Sequence, residues 1–306
     1  MVTRTEKNQE QQEEIELEEN KKIRKKKIIK AIKIIVVLSL VITALYFYVT
    51  KIATKALIVK ETRIIDKKIP DSFNGTKIIQ ISDLDFGSTV KINDVKNLVN
   101  MINERKPDLV FFTGDLIDKK YKISSKKEEE LIKLLHSIDA SLGKYAIMGE
   151  KDGEKFTTIF NQSEFSILNN SYDLLYQDDD NPILLVGLAS SLNKKQDIEA
   201  GYAYFREATH NANIYTITLL HEADSVDEIL NKYPTDLFLA GNSLNGQIRI
   251  PYVGSIIKKE GSKKYSEAFY QLKNSKLFVS SGIGTEGLPI RIFCHPSINF
   301  FRISNK

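Results

Sequence analysis

From Thr76 onward, short apolar runs alternate with stripes of helical period, and the runs end in polar, mostly acidic residues. The first run is 77–82, the second Leu109–Thr113 (LVFFT) and the third 145–148. Between them Val95, Leu98, Val99 and Ile102 recur at helical spacing before Pro107, and Leu131, Leu134, Leu135 and Ile138 do the same. Strand, helix, strand with crossovers of this length dictates parallel pairing and an α/β core. Later runs at 183–188, 214–220, 237–240, 277–280 and 298–303 have few helical stripes between them and predict a second, mixed sheet. No internal repeat or long linker intervenes, so 51–306 reads as one domain whose regular structure starts near residue 60.

In open α/β sheets, ligands bind beyond the carboxyl ends of the strands. Here those ends read Ser82-Asp83-Leu84-Asp85-Phe86-Gly87, Thr113-Gly114-Asp115, Gly149-Glu150-Lys151-Asp152, Leu219-Leu220-His221-Glu222 and Gly241-Asn242-Ser243-Leu244-Asn245-Gly246-Gln247. Carboxylates at successive strand ends repel one another unless a cation or protons compensate. Each acid taken singly is explained as a cap on the next helix. Five strand ends in series favour a metal site. The candidate ligands are few, because the chain has four histidines and one cysteine. Cys294 alone excludes a disulfide framework and a cysteine-based zinc site. His136 and His210 read as surface or half-buried residues, and His295 and Cys294 as structural. Tyr202, Tyr204 and Phe205 read as core rather than as a lipid-facing groove, and Gly282, Gly284 and Gly287 as turns beside the site.

The N-terminus carries a separate signal. Residues 1–20 are Glu-rich and read as disordered or as a loosely solvated helix. Eight cations follow between Lys21 and Lys33, and then 34–49 passes without a charge (IIVVLSLVITALYFYV). With Lys30 and Lys33 snorkelling to the headgroups, 28–50 spans a bilayer, and Tyr46 and Tyr48 fall in the interfacial belt. The cations before the span outnumber Lys51, Lys55 and Lys60 after it. The positive-inside rule therefore puts the tail 1–27 in the cytoplasm and the body outside, on a single-pass anchor in the cell membrane. No small-x-small cleavage site follows Tyr48, which argues for an uncleaved anchor. The net charge is +4, of which the first 33 residues hold +3. A nearly neutral body has no electrostatic footprint for nucleic acid.

Taken in order, these motifs resemble the calcineurin-like metallophosphoesterases, in their membrane-anchored branch. The resemblance covers about 60–306, with Phe112-Thr113-Gly114-Asp115-Leu116-Ile117-Asp118, Gly246-Gln247-Ile248-Arg249-Ile250-Pro251 and the terminal Gly282-Ile283-Gly284-Thr285-Glu286-Gly287-Leu288-Pro289-Ile290-Arg291 as its closest stretches. It implies two mixed β-sheets packed as a sandwich flanked by helices, and a dinuclear metal centre. For the first metal, the family's positions fall on Asp83, Asp85 (where the family has His), Asp115 and Leu244 (His). For the second they fall on Asp115, Glu150 (Asn), His221 and Asn242 (His). The family's catalytic histidine is Lys151, whose ammonium is placed to replace metal charge by pairing with Asp83 or Asp115, or to meet a phosphate.

Leu244 cannot bind a metal. The remaining donors, Asp83, Asp85, Asp115, Glu150, His221 and Asn242, form an oxygen-rich set that suits one Mn²⁺, Mg²⁺ or Ca²⁺ ion better than Zn²⁺, or no ion. Three readings follow. One is a pseudophosphoesterase, a tethered binding or scaffold module. A second is a hydrolase with a remodelled single-metal site, acting on a phosphorylated lipid or cell-wall precursor. The third is a structural domain whose acids are solvated caps.

Overall fold

The computed structural model describes residues 4–207 and 213–306, so His210 lies outside the described residues. The chain divides into two compact units, Met1–Val49 and Thr50–Lys306. The first is one helix, α1 (Arg4–Phe47), followed by a π-helical turn at Tyr48–Ile52. Of the two expectations for the Glu-rich stretch, disorder or a solvated helix, the structure has the helix, continuous with the apolar one. Glu and Lys are strong helix formers, and Glu18 pairs with Lys22 one turn on at 3.8 Å. The helix is long and apolar enough to cross a membrane, and its apolar stretch is not buried against protein.

The second unit is built on two six-stranded mixed sheets. The first runs β1 (Ile58–Ile65), β14 (Ser297–Ser304), β2 (Lys77–Ile81), β3 (Leu109–Thr113), β4 (Gly143–Ile147), β5 (Ser166–Ile167). Only the β14–β2 pairing in it is antiparallel. The second sheet runs β12 (Phe269–Leu272), β13 (Ser275–Val279), β9 (Leu237–Ala240), β8 (Thr216–Leu220), β7 (Ile183–Gly187), β6 (Ser171–Leu175). Its two edge pairings are antiparallel and its centre is parallel. A two-residue ribbon, β10 (Arg249–Ile250) with β11 (Gly254–Ser255), stands apart.

Three apolar layers hold this body together. Phe111, Ile217, Leu239 and Phe301 fill the space between the sheets. Helices α2 (Ile92–Asn103), α3 (Ser125–His136) and α4 (Glu154–Gln162) cover the outer face of the first sheet through Val95, Leu98, Leu131, Leu135 and Phe156. The outer face of the second sheet is covered around Tyr202, which is fully buried and bonded to the hydroxyls of Thr218 and Thr235. The aromatic cluster at 202–205 is therefore packed against this layer, with Tyr202 at its buried centre. The strand ends differ from the sequence expectation by one or two residues. Ser82, Met148 and Leu188 have already left their strands for the loops, and the run at 214 starts its ladder only at Thr216.

Beneath the carboxyl ends, Gln80 links the sheets. Its side-chain amide donates to Thr113 Oγ1 (3.1 Å) and Ala240 O (2.9 Å), and its carbonyl accepts from Asn299 (2.9 Å). This satisfied buried network fixes the two sheets' loops against each other.

Candidate metal centre

The loops after β2, β3, β4, β8 and β9 meet where the carboxyl ends of the two sheets face each other. Asp83, Asp85, Asp115 and Asn242 all have positive φ (47°, 42°, 62° and 60°), the left-handed conformation that Asp and Asn tolerate best. Gly114 and Gly149 allow the loops to close. A Cβ on Gly114 (φ +94°) would collide with the His221 ring and the Gly149 backbone. Asp152 then locks this pair of loops, accepting from the N–H groups of Asp115 (2.7 Å), Leu116 (2.9 Å) and Gly149 (2.8 Å).

Side chains of Asp83, Asp115 and His221 bring ligand atoms within 4.8 Å of one another. His221 Nδ1 lies 2.6 Å from the Thr113 carbonyl, and its Nε2 lies 2.8 Å from Glu150 Oε2 and 3.3 Å from Asp115 Oδ2. Asn242 follows Gly241, which packs against the same imidazole. Its amide nitrogen donates to Glu260 O (2.8 Å) and Ser262 Oγ (3.2 Å), leaving Oδ1 unpaired. Lys151 Nζ lies 2.6 Å from Asp115 Oδ2, 3.1 Å from Asp85 Oδ1 and 3.2 Å from Glu286 Oε2. Leu244 is buried, with Gly282 against its side chain.

Sequence reasoning brought these positions together but missed three neighbours. Lys259 enters from the loop after β11, pairs with Glu286 and stands 3.9 Å from Glu150. Lys259 belongs to no motif, and Glu286 lies in the terminal stretch Gly282–Arg291 without a ligand position of its own to mark it as a site residue. Asp152 was visible at a strand end but its role was not. Glu222, beside His221, has a carboxylate within 4.8 Å of ligand atoms of Glu150 and His221, and its oxygens accept from Ser190 Oγ and the Ser191 N–H.

Five carboxyl groups (Asp83, Asp85, Asp115, Glu150, Glu286) thus face two ammoniums (Lys151, Lys259) and the His221 imidazole. Burial pushes the Asp83 and Asp85 carboxyls up, Asp85 strongly. Burial also works against ionised Asp115, but the charges of His221 and Lys151 outweigh it and hold that carboxyl far down. Lys151 is held firmly charged, its desolvation outweighed by Asp115 and Asp85. Burial beside Asp115 raises Asp152 to about 7, against its three backbone donors.

The two halves of the centre therefore differ. Asn242 Oδ1 is buried with no hydrogen-bond partner, and Asp115 Oδ2, Glu150 Oε2 and His221 Nε2 are buried with ion-pair contacts only; Asp83 Oδ1 and Asp85 Oδ2 on the other side are unpartnered too. Buried polar atoms are rarely left so. With His221 Nδ1 held by a backbone carbonyl, Nε2 is the nitrogen that faces the carboxylates, which is how metal-binding imidazoles are oriented. This half fits one divalent cation. The half around Asp83 and Asp85 does not fit a second, since Leu244 offers no donor and the Lys151 ammonium already lies against Asp85 and Asp115.

A model of the calcineurin-like phosphoesterase family matches residues 76–250. The chain belongs to that family. Similar calcineurin-like proteins include the uncharacterized metallophosphoesterase YkuE of Bacillus subtilis (strain 168), 31% identical over 242 residues, 78% of this chain and 82% of that protein. A transmembrane protein with metallophosphoesterase domain from Danio rerio is 25% identical over 268 residues, 84% of this chain and 60% of that one. UDP-2,3-diacylglucosamine pyrophosphatase LpxG of Chlamydia muridarum (strain MoPn / Nigg) is 26% identical over 306 aligned residues, 80% of this chain and 89% of that one. Calcineurin-like phosphoesterases are metal-dependent, and the residue groups around Asp115 and His221 are candidates to hold the ion.

Proposed function

We propose that this chain is a membrane-anchored phosphoester-binding member of the calcineurin-like family that no longer hydrolyses its ligand. The observation that carries this reading is the ammonium of Lys151, 2.6 Å from Asp115 and 3.1 Å from Asp85, where a two-metal enzyme of the family has a metal ion. A two-metal site acidifies a water and clamps the attacking and leaving oxygens together. An ammonium supplies positive charge but neither of those functions. Lys151 and Lys259 offer two point charges to a phosphate, with no fixed fork of donors. Asp115, Glu150, His221 and Asn242 would hold one Mn²⁺, Mg²⁺ or Ca²⁺ ion, which supplies Lewis-acid charge to a phosphoryl oxygen. Asp152 keeps Asp115 and Gly149 in place for it.

The ligand class is a phosphorylated lipid or cell-wall precursor, held by a body tethered to the bilayer. Two relatives support it, one named as a transmembrane protein and one named for hydrolysing a diacylated nucleotide sugar. The basic flank of α1 favours a cytoplasmic N-terminus with the body outside. Protease added to intact cells should then release the body. A protected body with a digested tail would reverse the orientation.

The decisive assay uses the purified full-length chain with Mn²⁺ or Mg²⁺ and the p-nitrophenyl mono- and diesters of phosphate. No turnover above background is expected, and calorimetric titration with Mn²⁺ should give one site per chain. Asn242→Ala should weaken that site by at least the ~10-fold that loss of even an outer-sphere partner costs. Restoring the family residues (Asp85→His, Glu150→Asn, Lys151→His, Asn242→His, Leu244→His) should raise the stoichiometry to two. A second reading, hydrolysis at one metal, is favoured by the buried donor atoms of Asp115, Glu150, His221 and the unpaired Asn242 Oδ1. Turnover by the unmodified chain that Asp115→Ala abolishes would decide for it.

A further inference from the structure

We infer that the β10–β11 ribbon and the neighbouring 288–293 segment form a second membrane contact, which dips into the bilayer interface beside the metal centre. The ribbon exposes Ile250, Tyr252, Val253 and Ile256 at 46–109%, and the second segment exposes Leu288 (54%) and Phe293 (72%). The two segments are joined, because the Arg249 N–H donates to Ile292 O (2.9 Å) and the Ile292 N–H to Gln247 O (3.2 Å). Ile250, Tyr252, Val253 and Phe293 line one hollow between them. Tyr252 (φ 66°) and Phe293 (φ 48°) are held in the left-handed region, a cost an exposed aromatic does not recover in water. A contiguous exposed apolar patch of this kind marks an interaction surface.

The chemistry around the patch selects the occupant. No acidic residue occurs from Ile248 to Lys259 or after Glu286. Arg249 is paired to Glu267, and Lys258 is exposed at the ribbon's base. Glu267 also lines the hollow and Glu260 is exposed near Lys258, so the rim is of mixed charge, and the exposed apolar tip with its aromatic residues is what has the composition of an interfacial anchor.

The fold supplies the proximity. β14 is antiparallel to β2 and β1 is parallel to β14, so β1 begins at the end of the sheet where Asp83 stands. There the Ile58 N–H bonds Pro296 O, and the Ser297 N–H lies 3.2 Å from Gly282 O. Ala53 and Thr54 are already buried, so only the turn Tyr48–Ile52 separates them from the end of α1. The body is therefore tethered at its site end. The patch rims the same end, since the Gln247 side chain bonds Leu288 O (2.8 Å) and Glu286 O (3.2 Å). This surface is independent of whether the centre turns over.

The chain has no tryptophan, so one introduced residue reports alone. Full-length Tyr252→Trp, and separately Val253→Trp, would be reconstituted in vesicles of phosphatidylcholine and phosphatidylglycerol in equal parts. Tyr176→Trp is the control. Tyr176 is 53% exposed and next to Gln177, which bonds Thr76 at the opposite end of β2. At the ~5–10 Å depth of interfacial segments, the ribbon tryptophans should shift to the blue and lose roughly half their emission to acyl-brominated phosphatidylcholine. The control should respond only to aqueous iodide. Ribbon tryptophans that iodide quenches as it does the control would overturn the inference. So would ribbon tryptophans shielded from both quenchers, which would assign the patch to a second copy or another protein.

Discussion

Stripped of divalent cations, the Lys151→Ala chain is expected to be less stable than its parent by about 3–5 kcal/mol, the usual cost of leaving a buried charge without its partner. For a body of this size that is a fall of roughly 6–20 °C in Tm. The side chain is 7% exposed and stands between carboxylates that are fully buried, so water cannot take over its role. Mn²⁺ should then restore the variant, because the space between Asp85 and Asp115 opens to a cation. An ion held a hundredfold above its Kd contributes about 2.7 kcal/mol. The parent should gain less, as its Asp85 half is filled by the ammonium. Scanning calorimetry of both chains, with chelator and with Mn²⁺, measures this. Equal stability of the two chains, or equal gains with Mn²⁺, would show that Lys151 does not stand in for a metal.

Arg291→Met should cost a similar amount for a different reason. The guanidinium is fully buried and is spent on backbone carbonyls: Gly284 O at 3.1 Å from Nε and 2.5 Å from Nη2, and Gly282 O at 3.2 Å. These carbonyls belong to the loop that packs on Asp83 and Asp85, where the N–H groups of Ile283 and Gly284 return hydrogen bonds to the Ser82 and Asp83 carbonyls. Removing the fork leaves several buried acceptors unmet at about 1–3 kcal/mol each before relaxation. Arg291→Lys should recover little, since a point charge cannot span two carbonyls in a fixed plane. Full recovery by lysine would mean that charge near Asp83, not geometry, is what the position supplies.

The sequence made legible those parts of the molecule that are both apolar and continuous. LVFFT and LFLA are strands at the expected residues because every side chain in them is buried, leaving the pattern nothing else to report. β1 was passed over. Its residues IVKETRII, at a sheet edge, are half-buried or exposed except for buried Ile64, and Lys60, Glu61 and Arg63 dilute the apolar signal. In the centre, motif residues could be placed because each ends a strand. Lys259 and Glu286 could not, since they reach the site from irregular loops whose positions depend on the closed tertiary fold. The pairing of Lys151 with Asp115 was foreseeable from the family's spacing. Its contact with Asp85 rather than Asp83 depends on how the loop after β2 turns, which no spacing encodes.

β14 lies between β1 and β2, and its register with β1 runs the whole length of both strands, from Ile58–Ser297 to Ile65–Ser304. The ribosome makes this interior strand roughly 230 residues after the strand it must pair with. At ~5–20 residues per second that is a wait of about 10–50 s. Through that interval β2 keeps an open edge and β1 has no neighbour, the state in which strands pair with the wrong chain. Insertion of β14 is then the step that closes the sheet. A nascent chain halted before residue 297 would be left with its body open, a ready substrate for proteases.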